Sequence, residues 1–358
     1  IYCFINKGVK RIMAYTTINK STDYFNIKLY TGNGSARSIT GVGFQPDWCW
    51  FKNRSTTNGH SIFDVIRGAT KNIISNSNAA ESTSSNGLTA FDSDGFSIGT
   101  DGDVNGNGNN IVAWNWKANG AGSANTDGAT NTTVSVNTTA GFSIVKWTGT
   151  GSATTLGHGL GAVPKFWIIK NLDQVEDWRV YHNSLGNTKM LELNNTNTEA
   201  SDISYWNNTS PTSSVMTVGS SNANNGSGRN MIAYCFAEKA GYSKFGSYEG
   251  NNNSDGTFIY TGFKPNFVIT KNIDATADWI LFDDARKTPA YNGNLANSYV
   301  YPSTNGAEGY NTTTGFDLLS NGFKMRNTFA SANAANTYIY MAFGQTLVGS
   351  NNIPCTAR

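Results

Sequence analysis

The stretch Asp101-Gly102-Asp103-Val104-Asn105-Gly106 sets three side-chain oxygens two residues apart, the spacing with which a calcium loop begins to surround a hard cation. The position that would have to supply a bidentate Glu, however, is Val112. The corresponding stretches Ser221–Gly228 and Ala330–Ala335 carry no carboxylate, so a polar hairpin tip competes with calcium as the reading of Asp101, Asp103 and Asn105. Acid pairs occur as Asp173 with Glu176 and Asp177, and as Asp283 with Asp284; paired carboxylates are the groups that hydrolyse glycosides. His60, His158 and His182 have no metal-ligand spacing. There is no Gly-x-Ser-x-Gly elbow, and Gly32-Asn33-Gly34 lacks the helix that a phosphate loop needs. These patterns argue for a protein that is not an enzyme and needs no cofactor. Tyr205 and Trp206 are the candidate ligand residues, because they lie in a polar stretch (203–211) where a flat ring could stack on a sugar. A ring placed there could equally pack over a sheet edge or fill a subunit contact.

The elements that would position these residues recur three times. Gly43-Phe44-Gln45-Pro46-Asp47-Trp48-Cys49-Trp50-Phe51-Lys52-Asn53 returns as Gly161–Asn171 around Pro164 and as Gly262–Asn272 around Pro265. Each copy has a Pro, one polar residue, and an apolar run closed by Lys-Asn. Proline has no N–H for a sheet ladder, so it marks a strand start and the run after it reads as the strand. Register holds downstream: Phe63, Tyr181 and Phe282 each lie 17 residues past their Pro, and Asp64, His182 and Asp283 lie 18 past it. An aromatic-x-Gly turn (Tyr30, Trp147, Tyr248) opens each copy, and an aromatic-rich strand ending near Trp116, Phe236 and Phe343 closes it.

A period near 100 residues exceeds that of any solenoid, which predicts a whole domain with its own core in each copy. Short β-branched and aromatic runs between uncharged polar loops predict an all-β chain of three tandem jelly-roll or concanavalin-like β-sandwiches. The expected division is an N-terminal segment (1–23), repeat one (24–117), a linker with one short strand at 132–136 (118–139), repeat two (140–239), repeat three (240–347) and a C-terminal tail (348–358). Met13 is the expected natural start, since residues 1–12 show no signal-peptide pattern. Charged residues are 14% of the 358, and the net charge of +2 comes without a basic block, which excludes a nucleic-acid footprint. No run approaches a membrane span. Cys49 and Cys235 fall within predicted strands and read as buried small hydrophobes, in keeping with assembly in a reducing cytoplasm.

Three passages carry a family resemblance: Met13-Ala14-Tyr15-Thr16-Thr17-Ile18, Gly161–Asn171, and Tyr234–Tyr248 (YCFAEKAGYSKFGSY). With Phe343-Gly344-Gln345 and Val348-Gly349-Ser350-Asn351-Asn352 at the end, the chain resembles structural repeat proteins of tailed bacteriophages of marine bacteria. The resemblance implies a lectin-like tail fibre, appendage or capsid decoration on the virion surface. It implies other virion proteins as partners, and analogy with fibres suggests a homotrimer. It brings no functional residue. The low charge suits a neutral host-surface polysaccharide, bound weakly and multivalently through loops such as 101–108, 203–211 and 289–310. A glycan-degrading tail spike and a secreted bacterial carbohydrate-binding protein are the alternatives.

Overall fold

The computed structural model describes residues 16–286, 294–311 and 315–348. Met13, Cys3, Cys355, residues 289–293 and residues 349–352 therefore lie outside the described residues. The chain is an all-β protein, and the described helices are single turns of three or four residues. Each repeat contributes one large antiparallel sheet and one small one. In repeat one the large sheet runs in the spatial order Phe25–Thr31, Asn110–Trp116, Trp48–Asn53, His60–Asp64, Lys71–Ile74, Ser82–Thr83. The same order recurs in repeat two from Phe142–Thr148 through Asn230–Phe236 and Phe166–Asn171, and in repeat three from Ser243–Glu249 through Thr337–Gln345 and Lys264–Asn272.

Pro46 and Pro164 stand two residues before their strands, as the spacing predicts. Pro265 lies just inside Lys264–Asn272, where the ladder shifts register between Pro265 and Phe267 and so accommodates the missing N–H. The 17- and 18-residue spacings are cross-strand register. Trp48 pairs with Asp64, Phe166 with His182 and Phe267 with Asp283. The aromatic-x-Gly turn has a steric cause. A Cβ on Gly32, Gly149 or Gly250 would lie 2.1, 2.2 or 2.0 Å from the carbonyl oxygen of Gly106, Gly226 or Ala334, so only glycine lets the turn seat against the loop before the closing strand.

Both faces of the post-proline and closing strands are apolar, and alternation sends them to different places. Cys49, Phe51, Ile111 and Ala113 face the small sheet of repeat one, and each other repeat has a comparable cluster between its own sheets. The opposite faces (Trp48, Trp50, Trp114, Trp116; Phe166, Ile168, Tyr234, Phe236; Phe267, Ile269, Met341, Phe343) meet in one cluster shared by all three repeats. Trp116, Phe236 and Phe343 touch one another edge to face, with ring centroids 6.4, 5.8 and 5.7 Å apart. The three large sheets thus close around an approximate threefold axis within a single chain. Separate cores were expected; the shared one was not, because a strand apolar on both faces does not say what its second face meets.

Residues 118–139 are also more than a linker. Ser123–Asn125 and Thr132–Asn137 extend the large sheet of repeat two to eight strands, pairing through Val134–Val145 and Ser135–Ile144.

Truncating one of the three axial rings removes contacts to both other repeats. Phe236→Ala is expected to cost about 3–5 kcal/mol, with urea unfolding still a single transition by tryptophan fluorescence and by far-UV dichroism. A fragment of residues 118–239 would bare Phe142, Phe166, Tyr234 and Phe236, and is expected to aggregate. A soluble fragment that unfolds cooperatively would contradict the shared core.

Candidate functional site

The buried polar side chains recur by position as the aromatic ones do, and they sit where one repeat meets the next. The Lys that closes each repeated stretch projects from the same strand face as the axial aromatics. Lys52, Lys170 and Lys271 are fully buried. Lys52 Nζ donates to the carbonyl of Asn58 in its own repeat and to that of Asn305 in repeat three, at 2.9 Å. Lys170 Nζ donates to Glu176 O (2.6 Å) and, in repeat one, to Asn78 O (2.9 Å). Lys271 Nζ donates to Ala277 O (2.8 Å) and, in repeat two, to Thr196 O (3.1 Å). Each lysine therefore ties its own loop to a neighbouring repeat, in cyclic order.

The position paired with the proline strand does the same. Trp114 Nε1 donates to Asp283 Oδ2 at 2.9 Å, the Tyr234 hydroxyl to Asp64 Oδ2 at 2.7 Å, and His182 Nε2 to Tyr340 O at 3.1 Å. Asp64 and Asp283 also hold Arg67 and Arg286 three residues on, in buried ion pairs. Repeat two replaces this pair with His182 and Leu185, so the charge is lost from both partners together. A third set of contacts joins Trp178 Nε1 to Ile74 O (3.0 Å) and Trp279 Nε1 to Glu192 O (2.8 Å). His60 holds the equivalent place and makes no full hydrogen bond through its ring nitrogens. Of the paired acids, Asp283 is an ion-pair partner and Asp173 accepts the Asn230 backbone N–H at 2.7 Å. His158 is likewise a buried structural group, its Nε2 donating to Thr212 O at 3.2 Å.

The candidate ligand site is corrected. Trp206 is fully buried, ending a short helix (Ile203–Trp206) whose ring packs edge-on against Trp167 and Tyr181 at 5.3 and 5.8 Å. Its Nε1 donates to Lys189 O at 2.9 Å, so it offers no face to a sugar. Tyr205 is half-buried under the Arg179 guanidinium, 5.1 Å from its ring centroid. The polar residues around Trp206 cover it because the helix turns it inward, and polarity along the chain could not show that.

The calcium-like stretch folds as a capped turn. Asp101 caps the short helix Gly102–Asn105, accepting from Asp103 N (2.9 Å) and Ser84 Oγ (2.5 Å). Asp103 accepts from Asn58 Nδ2 (2.5 Å), and buried Asn105 bridges Asn33 N to the carbonyls of Ser35 and Gly99. Ser221 and Asn225 build the same capped turn in repeat two without a carboxylate. Among the described residues no group of three or more His, Cys, Asp or Glu is placed to hold a metal.

The chain is thus an all-β protein of three interlocked sheet pairs. It belongs to the family described as Domain of unknown function (DUF7483), whose model matches residues 20–346, all three repeats in one span. No curated protein and no solved structure matches it.

Burial depresses the pKa of Lys52, Lys170 and Lys271 to about 8, against 10.5 for a free lysine. Below pH 8 the folded and unfolded chains both carry these protons, and burying the charge opposes folding. Between pH 8 and 9 the folded chain releases them while the unfolded chain keeps them, so this contribution to stability rises with pH. Thermal melts at pH 7.5 and 9 are expected to show a higher Tm at the upper value, with a smaller difference in Lys170→Met. Trp206→Ala is expected to behave as a core truncation costing about 3–5 kcal/mol. A melt indistinguishable from the native one would return Trp206 to the surface.

Proposed function

We propose that the chain is a non-enzymatic structural protein of a phage virion, displayed as a fibre, appendage or head decoration. There it meets host-surface glycans weakly and through many copies. The observation that carries the proposal is the closed threefold body: one chain supplies three equivalent outward-facing sheets and loop sets on one rigid core. Such a body can fill a threefold position on a particle, and the three junction systems hold it stiff. The resemblance around Gly161–Asn171 and Tyr234–Tyr248 supplies the virion setting. Other virion proteins are the proposed partners. Because the inner sheet faces are already used within the chain, a homotrimer would have to form through outer surfaces.

Mass spectrometry of washed particles of the phage carrying the gene is expected to find the chain at a fixed copy number. A density map of the particle should accept the three-sheet body. Absence from washed particles would overturn the proposal, and so would steady release of reducing ends from a polysaccharide by the purified chain.

A further inference from the structure

Two of the three most exposed rings among the described residues lie together at one place that the sequence pattern did not single out; the third, Tyr310, lies apart at an edge of the large sheet. Phe258 and Tyr260 are 43% and 58% exposed, while Ile259 between them is buried. They lie two apart on Phe258–Tyr260, the edge strand of the small sheet of repeat three, so both side chains leave its solvent side from Cα atoms about 7 Å apart. Phe258 pairs with Lys324, which pairs with Asp317; Tyr260 pairs with Gly322, which pairs with Leu319. The Phe258 ring leans over Gly322, which has no side chain to hold it off. A Cβ there would lie 2.9 Å from Phe258 Cε2. The equivalent outer faces of the other repeats carry Ser38 against Ser97 and Thr155 against Thr217, with no ring.

The rim of this face is charged and balanced. Lys324 Nζ and Arg326 Nη1 lie 2.7 and 3.1 Å from Asp255 Oδ1, and Arg326 Nε lies 2.7 Å from Asp317 Oδ2. Two cations thus face two carboxylates, leaving donors and acceptors of both kinds at the rim and no net charge. An acidic polymer would call for unpaired Arg or Lys. A stable protein partner would need about 800 Å² of contact per side, far more than two rings and Leu319 supply. The apolar C–H face of a sugar fits flat on such rings, with its hydroxyls reaching the rim.

We infer that the outer face of the repeat-three small sheet, centred on Phe258 and Tyr260, is a stacking platform for a neutral saccharide. This rests on the glycan-contact part of the function proposed above and gives it a site, which is not Trp206. A glycan microarray of neutral and anionic saccharides, probed with the full chain, is expected to show signal on neutral glycans. The Phe258→Ala/Tyr260→Ala variant should weaken binding to them about tenfold, as loss of two stacked rings would, while a cooperative melt shows that the variant is still folded. Signal on anionic glycans alone, no signal at all, or full binding by the variant would overturn the inference. So would a dimer in light scattering that the variant dissolves, since the rings would then cover a second copy. The virion role is judged separately, by the particle mass spectrometry, and none of these outcomes touches it.

Discussion

The structure depends on one constraint: three sheets that are apolar on both faces must each find two partners. The small sheet of the same repeat covers one face, and only the other repeats are available for the second. Closing three such faces around an axis brings Trp116, Phe236 and Phe343 into mutual contact. The hydrophobic effect favours this closure because it takes three aromatic-rich surfaces out of water at once.

Closure creates a polar problem at the junctions, where loops and sheet edges of neighbouring repeats are buried together. An unpaired buried carbonyl costs about 1–3 kcal/mol. The three lysines answer this by donating to two carbonyls each, one on either side of a junction. A long flexible stem with three donors suits this task, since its head can reach both neighbouring loops. Burial of the charge opposes folding, and the interlock gives a definite angular order to the repeats in return. The Asp–Arg pairs of repeats one and three serve the same order, with the carboxylate also receiving an N–H or O–H from the adjoining closing strand.

The threefold order is approximate, and its departures compensate one another. Repeat one places Trp at four axial positions where the others use Phe, Ile, Tyr or Met, so one sheet carries more of the central volume. The indole N–H groups of Trp48, Trp50 and Trp116 have no acceptor, which marks them as packing groups rather than network members. Among the described residues, repeat two alone gains two added strands, and a groove beside them is lined by Thr133, Lys146, Thr148 and Asn230. Repeat three alone carries exposed rings on its outer sheet. Specialisation therefore sits on outer surfaces, where it does not disturb the axis.

The sequence by itself determined the strands and the spacing between them. The proline strand, its partner 17 and 18 residues on and the closing aromatic strand are local matters of turn chemistry and side-chain period, and each appears three times. It determined the glycine turns and the burial of Cys49 and Cys235 for the same reason. Only the tertiary structure decided where the second apolar face goes. A run such as Trp48–Asn53 reads the same whether its outer face meets another sheet or another repeat. It also decided which aromatics are free. Trp206 stands among polar residues yet is turned inward by a single helical turn. Phe258 and Tyr260 stand in the apolar run Phe258-Ile259-Tyr260, yet an edge strand over which no described residue closes leaves them in water. Exposure is a property of what lies across the sheet, and that is set by contacts far apart in the chain.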